Sequence, residues 1–225
     1  MKKILLIISI ISLLFLVGCN SNENIISNEN INNNAIADND NKVLSDFLNK
    51  IVLYIKESKD NDNIDCEANN ISTLYENKYD TLRNIRYAYM DINEDDKMEL
   101  VTSISYSSLD YDITDIYGVE NNNINHIVSS NDKHTYYIVN KNESNKKYIQ
   151  EEIKIENGLE TIYYELIGVQ LVEVESIKEL YMDSKFYYRA KEGEYVEVSF
   201  DKYNEVTDRY PLYSSLITIF EEIDV

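Results

Sequence analysis

The chain has no tryptophan, one proline, five glycines, two cysteines and two histidines in its 225 residues. Each scarcity removes something. Two cysteines cannot build a disulfide scaffold. No Gly-x-Ser-x-Gly elbow, His-Glu-x-x-His pair, phosphate-binding glycine loop or local Cys/His pair occurs, so the familiar catalytic motifs are missing. The two histidines, His126 and His134, flank a polar turn and bring no further ligands at zinc spacing; both are expected as surface or strand-end residues. Basic side chains are scarce as well. Lys and Arg number 21 against 41 Asp and Glu, and the resulting charge of -20 repels phosphate backbones, which argues against a nucleic-acid partner. What is plentiful is apolar and phenolic: 44% hydrophobic residues and 20 tyrosines are enough to bury a core and argue against wholesale disorder.

Two lysines at positions 2 and 3 precede an apolar and hydroxyl run from Ile4 to Gly18, the order of an export signal. The run is shorter than the roughly 20 residues a membrane-spanning helix needs. Leu16-Val17-Gly18-Cys19 resembles the lipobox of bacterial lipoproteins, which implies that Cys19 receives a diacylglycerol and becomes the first residue of the mature protein. Each buried methylene of such a lipid contributes about 0.8 kcal/mol to anchoring. Cys66 is then the remaining thiol and is expected as a small buried hydrophobe. Residues 20 to 41 are asparagine-rich without helical or strand period. Such a tract reads as a flexible spacer, with a reach on the order of 25 Å. The expected organisation is a signal peptide over 1–18, a lipidated cysteine and tether over 19–42, and a single extracytoplasmic domain over 43–225.

Within that domain Leu44, Phe47, Leu48, Ile51, Tyr54 and Ile55 recur at the spacing of one helix face. Residues 58–70 are polar and read as a loop. From Ile85 the pattern becomes β-rich, with strands expected over 85–91, 99–106, 112–119, 124–129, 135–139, 148–156, 160–167, 186–190 and 195–200. Asn121-Asn122-Asn123, Asn140-Lys141-Asn142, Asn157-Gly158 and Glu192-Gly193 separate them as hairpin turns, Asn157-Gly158 most strongly. The stretch from Val169 to Leu180 mixes both periods and stays unassigned. A short helix is expected over Asp201 to Arg209 and a last strand over Leu216 to Phe220. The fold class is therefore α+β, a largely antiparallel β-sheet with an N-terminal amphipathic helix and a short C-terminal one.

One constellation carries chemistry. Asp91, Asn93, Asp95 and Glu99 stand at positions 1, 3, 5 and 9 of a run in which Lys97, at position 7, offers its backbone carbonyl. This is the spacing by which loops gather oxygens around calcium. The segment resembles the D-x-[DN]-x-D-G-x-x-[DE] loops found between two strands in integrin-type repeats and in exported proteins of Gram-positive bacteria. It is also similar to the YDIDGDGxxEL motif of uncharacterised clostridial-type lipoproteins, matching at Asp91, Ile92, Asp95, Glu99 and Leu100. The resemblance implies a structural calcium site. Three positions depart from the motif: Met90 stands for tyrosine, Glu94 for the first glycine and Asp96 for the second. The second glycine position requires a left-handed turn, which aspartate adopts at a cost glycine avoids. Thr102 stands where an EF-hand has its last glutamate, so the loop is not of that kind. The acidic run Asp110 to Asp115 has the wrong spacing and reads as a strand edge.

These features lead to an expectation of a non-enzymatic binding or interaction protein, held at the cell membrane by its lipid and facing outward. A cell-surface protein or a glycan is the expected partner, met through the exposed member of tyrosine pairs such as Tyr136-Tyr137, Tyr163-Tyr164 and Tyr187-Tyr188; the alternative is that tyrosine only replaces phenylalanine and tryptophan in packing. The alternatives are a hydrolase of glycans or peptides working through paired carboxylates, and a small solute-binding lipoprotein.

Overall fold

A computed structural model of the chain describes residues 39–53, 84–105, 112–142, 144 and 146–222. The expected signal, Cys19, the tether up to Asp38, Cys66, the loop over 58–70 and the helix positions Tyr54 and Ile55 lie outside them. The unit from Asn39 onward is mostly β, with some helix at each end.

Described residues 39–53 form a helix, α1, which starts four residues ahead of the expected Val43. Leu44, Phe47, Leu48 and Ile51 are its buried stripe, as their spacing requires. The next elements are β1 (Asn84–Met90), β2 (Glu99–Ser105), β3 (Asp115–Glu120) and β4 (Asn123–Ser129). They are followed by β5 (His134–Asn140), β6 (Lys147–Ile155), β7 (Gly158–Ile167) and β8 (Gln170–Leu180). The chain continues as β9 (Lys185–Ala190), β10 (Val196–Val198), α2 (Phe200–Asp208), α3 (Leu216–Ile219) and β11 (Glu221–Glu222). Every pairing between these strands is antiparallel.

The strands make two sheets where one was expected. The first has the order β11-β1-β2-β3-β4 and the second β10-β9-β8-β7-β6-β5. An isolated bridge between Ile113 and Tyr136 joins them, with Ile113 N donating to Tyr136 O at 2.9 Å. Three cores follow. Beneath α1 lie Leu100, Ile104 and Tyr117 of the first sheet. Between the sheets, Val101, Ile116 and Val128 meet Ile138, Ile149 and Leu166. Under α2, Val206 and Tyr210 pack on Tyr148, Tyr163 and Ile177. Each such side chain contributes about 1.5–3 kcal/mol by burial.

The turns follow their side chains. Asn121 and Asn122 both take positive φ, 54° and 61°, and close the β3–β4 hairpin as asparagine allows. Asn157-Gly158 does mark a hairpin, although the central pair is Glu156-Asn157, since Ile155 pairs with Gly158. The glycine is needed for space: a Cβ on Gly158 would stand 1.9 Å from the Glu179 carbonyl oxygen. The unassigned stretch is the long strand β8. Its register on β7 shifts between Tyr163 and Tyr164, so Val174 is an extra residue that reverses which face the odd positions take. Leu171 accordingly joins the core between the sheets and Ile177 the core under α2. The expected last strand, Leu216 to Phe220, is instead the helical turn α3. Leu216 and Phe220, four apart, both pack between the sheets while Ile219 is exposed, a spacing that one helical turn satisfies and an alternating strand does not.

Candidate functional site

The calcium-spaced run is the connection from β1 to β2. Ile92 and Leu100, the apolar positions of the motif, are both fully buried, in the core between the sheets and the core under α1 respectively. They pin the run at both ends. Between them the backbone coils around Asp91. Its Oδ1 accepts from the N–H of Glu94 at 2.7 Å and of Asp95 at 3.2 Å, and its Oδ2 from Asp96 N at 3.1 Å. Asn93 Oδ1 accepts from Asp95 N, and Asp95 Oδ1 from Lys97 N. Asp96 is left-handed at φ 63°, as its motif position requires, and Glu94, at the other glycine position, is left-handed at φ 62°.

The loop is fixed from outside as well. Asn93 Nδ2 donates to Gly168 O at the β7–β8 turn, and Lys147 Nζ to Asp91 O at 2.8 Å. Lys97 pairs with the buried Asp40 near the start of α1 at 3.1 Å. Glu99 is 3% exposed, and its carboxylate accepts from Ile92 N at 2.8 Å. Burial pushes its carboxyl up to about 8; the Ile92 N–H opposes that, and the charges of Asp95 and Asp91 add to it.

Asp91, Asn93, Asp95, Lys97 through its carbonyl, and Glu99 are thus brought to one short loop. Among the described residues no three His, Cys, Asp or Glu side chains already converge as for a metal ion. The donor set, all oxygen, fits a hard divalent cation such as calcium. Of the second acidic run, expected as a strand edge, Asp110 and Tyr111 lie outside the described residues and Asp112 is exposed, whereas the last residue departs from that expectation. Asp115 is 0% exposed.

Asp115 leads to a feature that sequence reading missed. His126 Nε2 lies 2.8 Å from Asp115 Oδ1, which also accepts from Ser129 Oγ. The His126 ring stacks on Tyr117 at 4.9 Å and 28°, and Phe47 meets Tyr117 edge-on. His126 forms part of the wall of a cleft of about 500 Å³ between α1 and the β3–β4 hairpin. Val43, Phe47 and Ile124 supply its apolar side, and Asp46, Lys50, Asn122 and Asn123 its polar rim. A bulge assembles the pair. Ile116 pairs with Val128 but Tyr117 with His126, so the extra residue Ile127 puts His126 on the same face as Ser129 and Asp115.

His134 starts β5, as a strand-end residue was expected to, and its Nδ1 lies 2.7 Å from Glu151. Glu151 also accepts from the hydroxyls of Tyr136 at 2.6 Å and Tyr164 at 2.8 Å. Glu175 is held by Arg209 through both oxygens, at 2.8 and 2.9 Å, and by the Tyr210 hydroxyl. Both carboxylates are buried and committed to these donors, which is the pattern of a structural network. The paired tyrosines split between the two faces of the second sheet. Tyr136 and Tyr164 border the core between the sheets, while Tyr137, Tyr163 and Tyr188 belong to the core under α2.

No protein-family model matches the chain, and comparison with curated proteins and with solved structures gives no significant match.

Proposed function

We propose that this chain is a membrane-anchored lipoprotein of the extracytoplasmic face, related in kind to the clostridial-type lipoproteins it resembles. Its α+β body acts without catalysis as a binding or interaction module and carries a structural calcium loop at Asp91, Asn93, Asp95, Lys97 and Glu99. The observation that carries the reading is the backbone at Glu94 and Asp96. Both stand where the resembling loops have glycine, and both are left-handed. A side chain in that conformation costs about 1–2 kcal/mol, a strain that persists only where the surroundings impose it. Here a carboxylate-centred coil imposes it, and its charges are those a divalent cation would neutralise.

Bound calcium should raise the melting temperature of the purified protein, since at tenfold excess over the dissociation constant the linkage is roughly 1.4 kcal/mol. Asp91→Ala combined with Asp95→Ala should remove that response. A wild-type melting curve indifferent to millimolar calcium would reject the loop as a site. The anchor has its own check: mass spectrometry of the protein from its host should find a diacylglycerol thioether on Cys19 at the mature amino terminus. Unmodified Cys19 would remove the membrane attachment. No helix among the described residues is long and apolar enough to cross a membrane, and the reading places attachment in the lipid alone.

A second reading, a small solute-binding lipoprotein, is favoured by the cleft beside His126, whose volume lies within the range of small-molecule sites.

A further inference from the structure

His126 is held from behind. A carboxylate only accepts, so the neutral imidazole facing Asp115 carries its hydrogen on Nε2 and keeps a lone pair on Nδ1. The two ring nitrogens diverge, which directs that lone pair away from Asp115. Stacking on Tyr117 fixes the plane of the ring. Asp115 is fully buried, and its Oδ2 receives no hydrogen bond, so the charge is compensated through Oδ1 and the His126 and Ser129 donors on it. A carboxylate behind an imidazole strengthens the acceptor on the far nitrogen. The arrangement is a positioned acceptor in the wall of a cleft.

The cleft also limits what can fill it. The chain's charge of -20 repels anions at long range. On the rim Asp46 and Lys50 carry opposite charges, so neither a cation nor an anion is favoured there. Asn122 accepts through Oδ1 from Asn39 and keeps its amide donors, while Asn123 donates to Asn121 O and keeps its carbonyl acceptor. Val43, Phe47 and Ile124 give the opposite side an apolar surface. A neutral molecule with hydroxyls around its edge and C–H bonds on its faces satisfies all of these together.

We propose that the cleft between α1 and the β3–β4 hairpin is a sugar-binding site in which His126 Nδ1 accepts a hydrogen bond from a ligand hydroxyl, and Asp115 positions the ring. The inference rests on the solute-binding reading above and gives it a ligand class. It is independent of the calcium loop.

The chain contains only two histidines, so each imidazole can be followed by proton magnetic resonance, with His134 as the internal control. The full-length protein in a zwitterionic detergent is titrated with D-glucose, N-acetylglucosamine and maltose, and separately with acetate and ethylammonium. The expected result is a saturable shift of the His126 signal by at least one sugar with the His134 signal unmoved. Calorimetry should find His126→Gln about tenfold weaker for that sugar, the worth of one hydrogen bond, and His134→Gln unchanged. Asn122→Gly, which removes the side chain and keeps the left-handed turn, should also weaken binding and covers the case in which His126→Gln fails to fold. A His126 shift with acetate or ethylammonium and none with the sugars overturns the ligand class while keeping the solute-binding reading. No shift with any probe, in a protein whose melting curve shows it folded, overturns both. Sugar affinity unchanged in both His126→Gln and Asn122→Gly places the ligand elsewhere and overturns the site.

Discussion

Raising the pH past 10 should unfold this protein cooperatively, with tyrosinate absorbance rising in a step at the same pH at which the β-sheet circular dichroism is lost. Burial, the largest cause, raises the phenol pKa of Tyr136, Tyr163, Tyr164 and Tyr210. Hydrogen bonds to Glu151 add to this at Tyr136 and Tyr164, and one to Glu175 at Tyr210. Tyr203 and Tyr195 are pushed up to about 12, chiefly by burial, and Tyr87 to about 12, chiefly by its hydrogen bond to Glu221. In the unfolded chain these phenols titrate near 10. Above that pH the unfolded state binds fewer protons than the folded one, so stability falls as pH rises; below it the contribution is fully present. Each of these tyrosines lowers stability by about 1.4 kcal/mol per pH unit, and the four together by roughly 5.6 kcal/mol per unit. That is comparable with the whole stability of a typical domain, about 5–15 kcal/mol. A gradual titration centred near 10 with the sheet signal intact would show that these phenols are not buried as described.

Arg209→Ala should cost about 3–5 kcal/mol, the usual penalty for leaving a buried charge without its partner. Glu175 is 4% exposed, and Arg209 is the only cation within salt-bridge distance of it among the described residues. The Tyr210 hydroxyl remains as one donor, so the lower half of that range is expected. Chemical denaturation measures the loss directly. In a double-mutant cycle, adding Glu175→Gln should recover a large part of it, because a neutral amide no longer needs the guanidinium. Equal losses in the single and double variants would mean that the guanidinium contributes through packing on its neighbours and not through Glu175.

The two predictions share a cause. With 41 acids and 21 bases, the chain cannot give every carboxylate a cation. Tyrosine supplies the missing donors. Glu151 takes two phenol hydroxyls and an imidazole, Glu160 the hydroxyl of Tyr195, and Glu175 that of Tyr210 beside its arginine. A phenol donates strongly while burying an aromatic body, so one residue type fills core and satisfies charge together. The abundance of tyrosine therefore has a packing role in the second sheet.

Much of this was legible in the residue order. The i, i+3, i+4 spacing of Leu44, Phe47, Leu48 and Ile51 placed α1, and runs of β-branched and aromatic residues between asparagine turns placed nine of the strands, because both signals are local. The oxygen spacing from Asp91 to Glu99 likewise lies within one loop. What tertiary structure alone decided is where distant residues meet. Alternation tells which face a strand residue takes only until a bulge resets it, and a bulge is a property of two paired strands. Val174 resets β8 and Ile127 resets β4. The second reset turns His126, which stays exposed as its surface reading has it, toward the buried Asp115, and the two meet at the wall of a cleft.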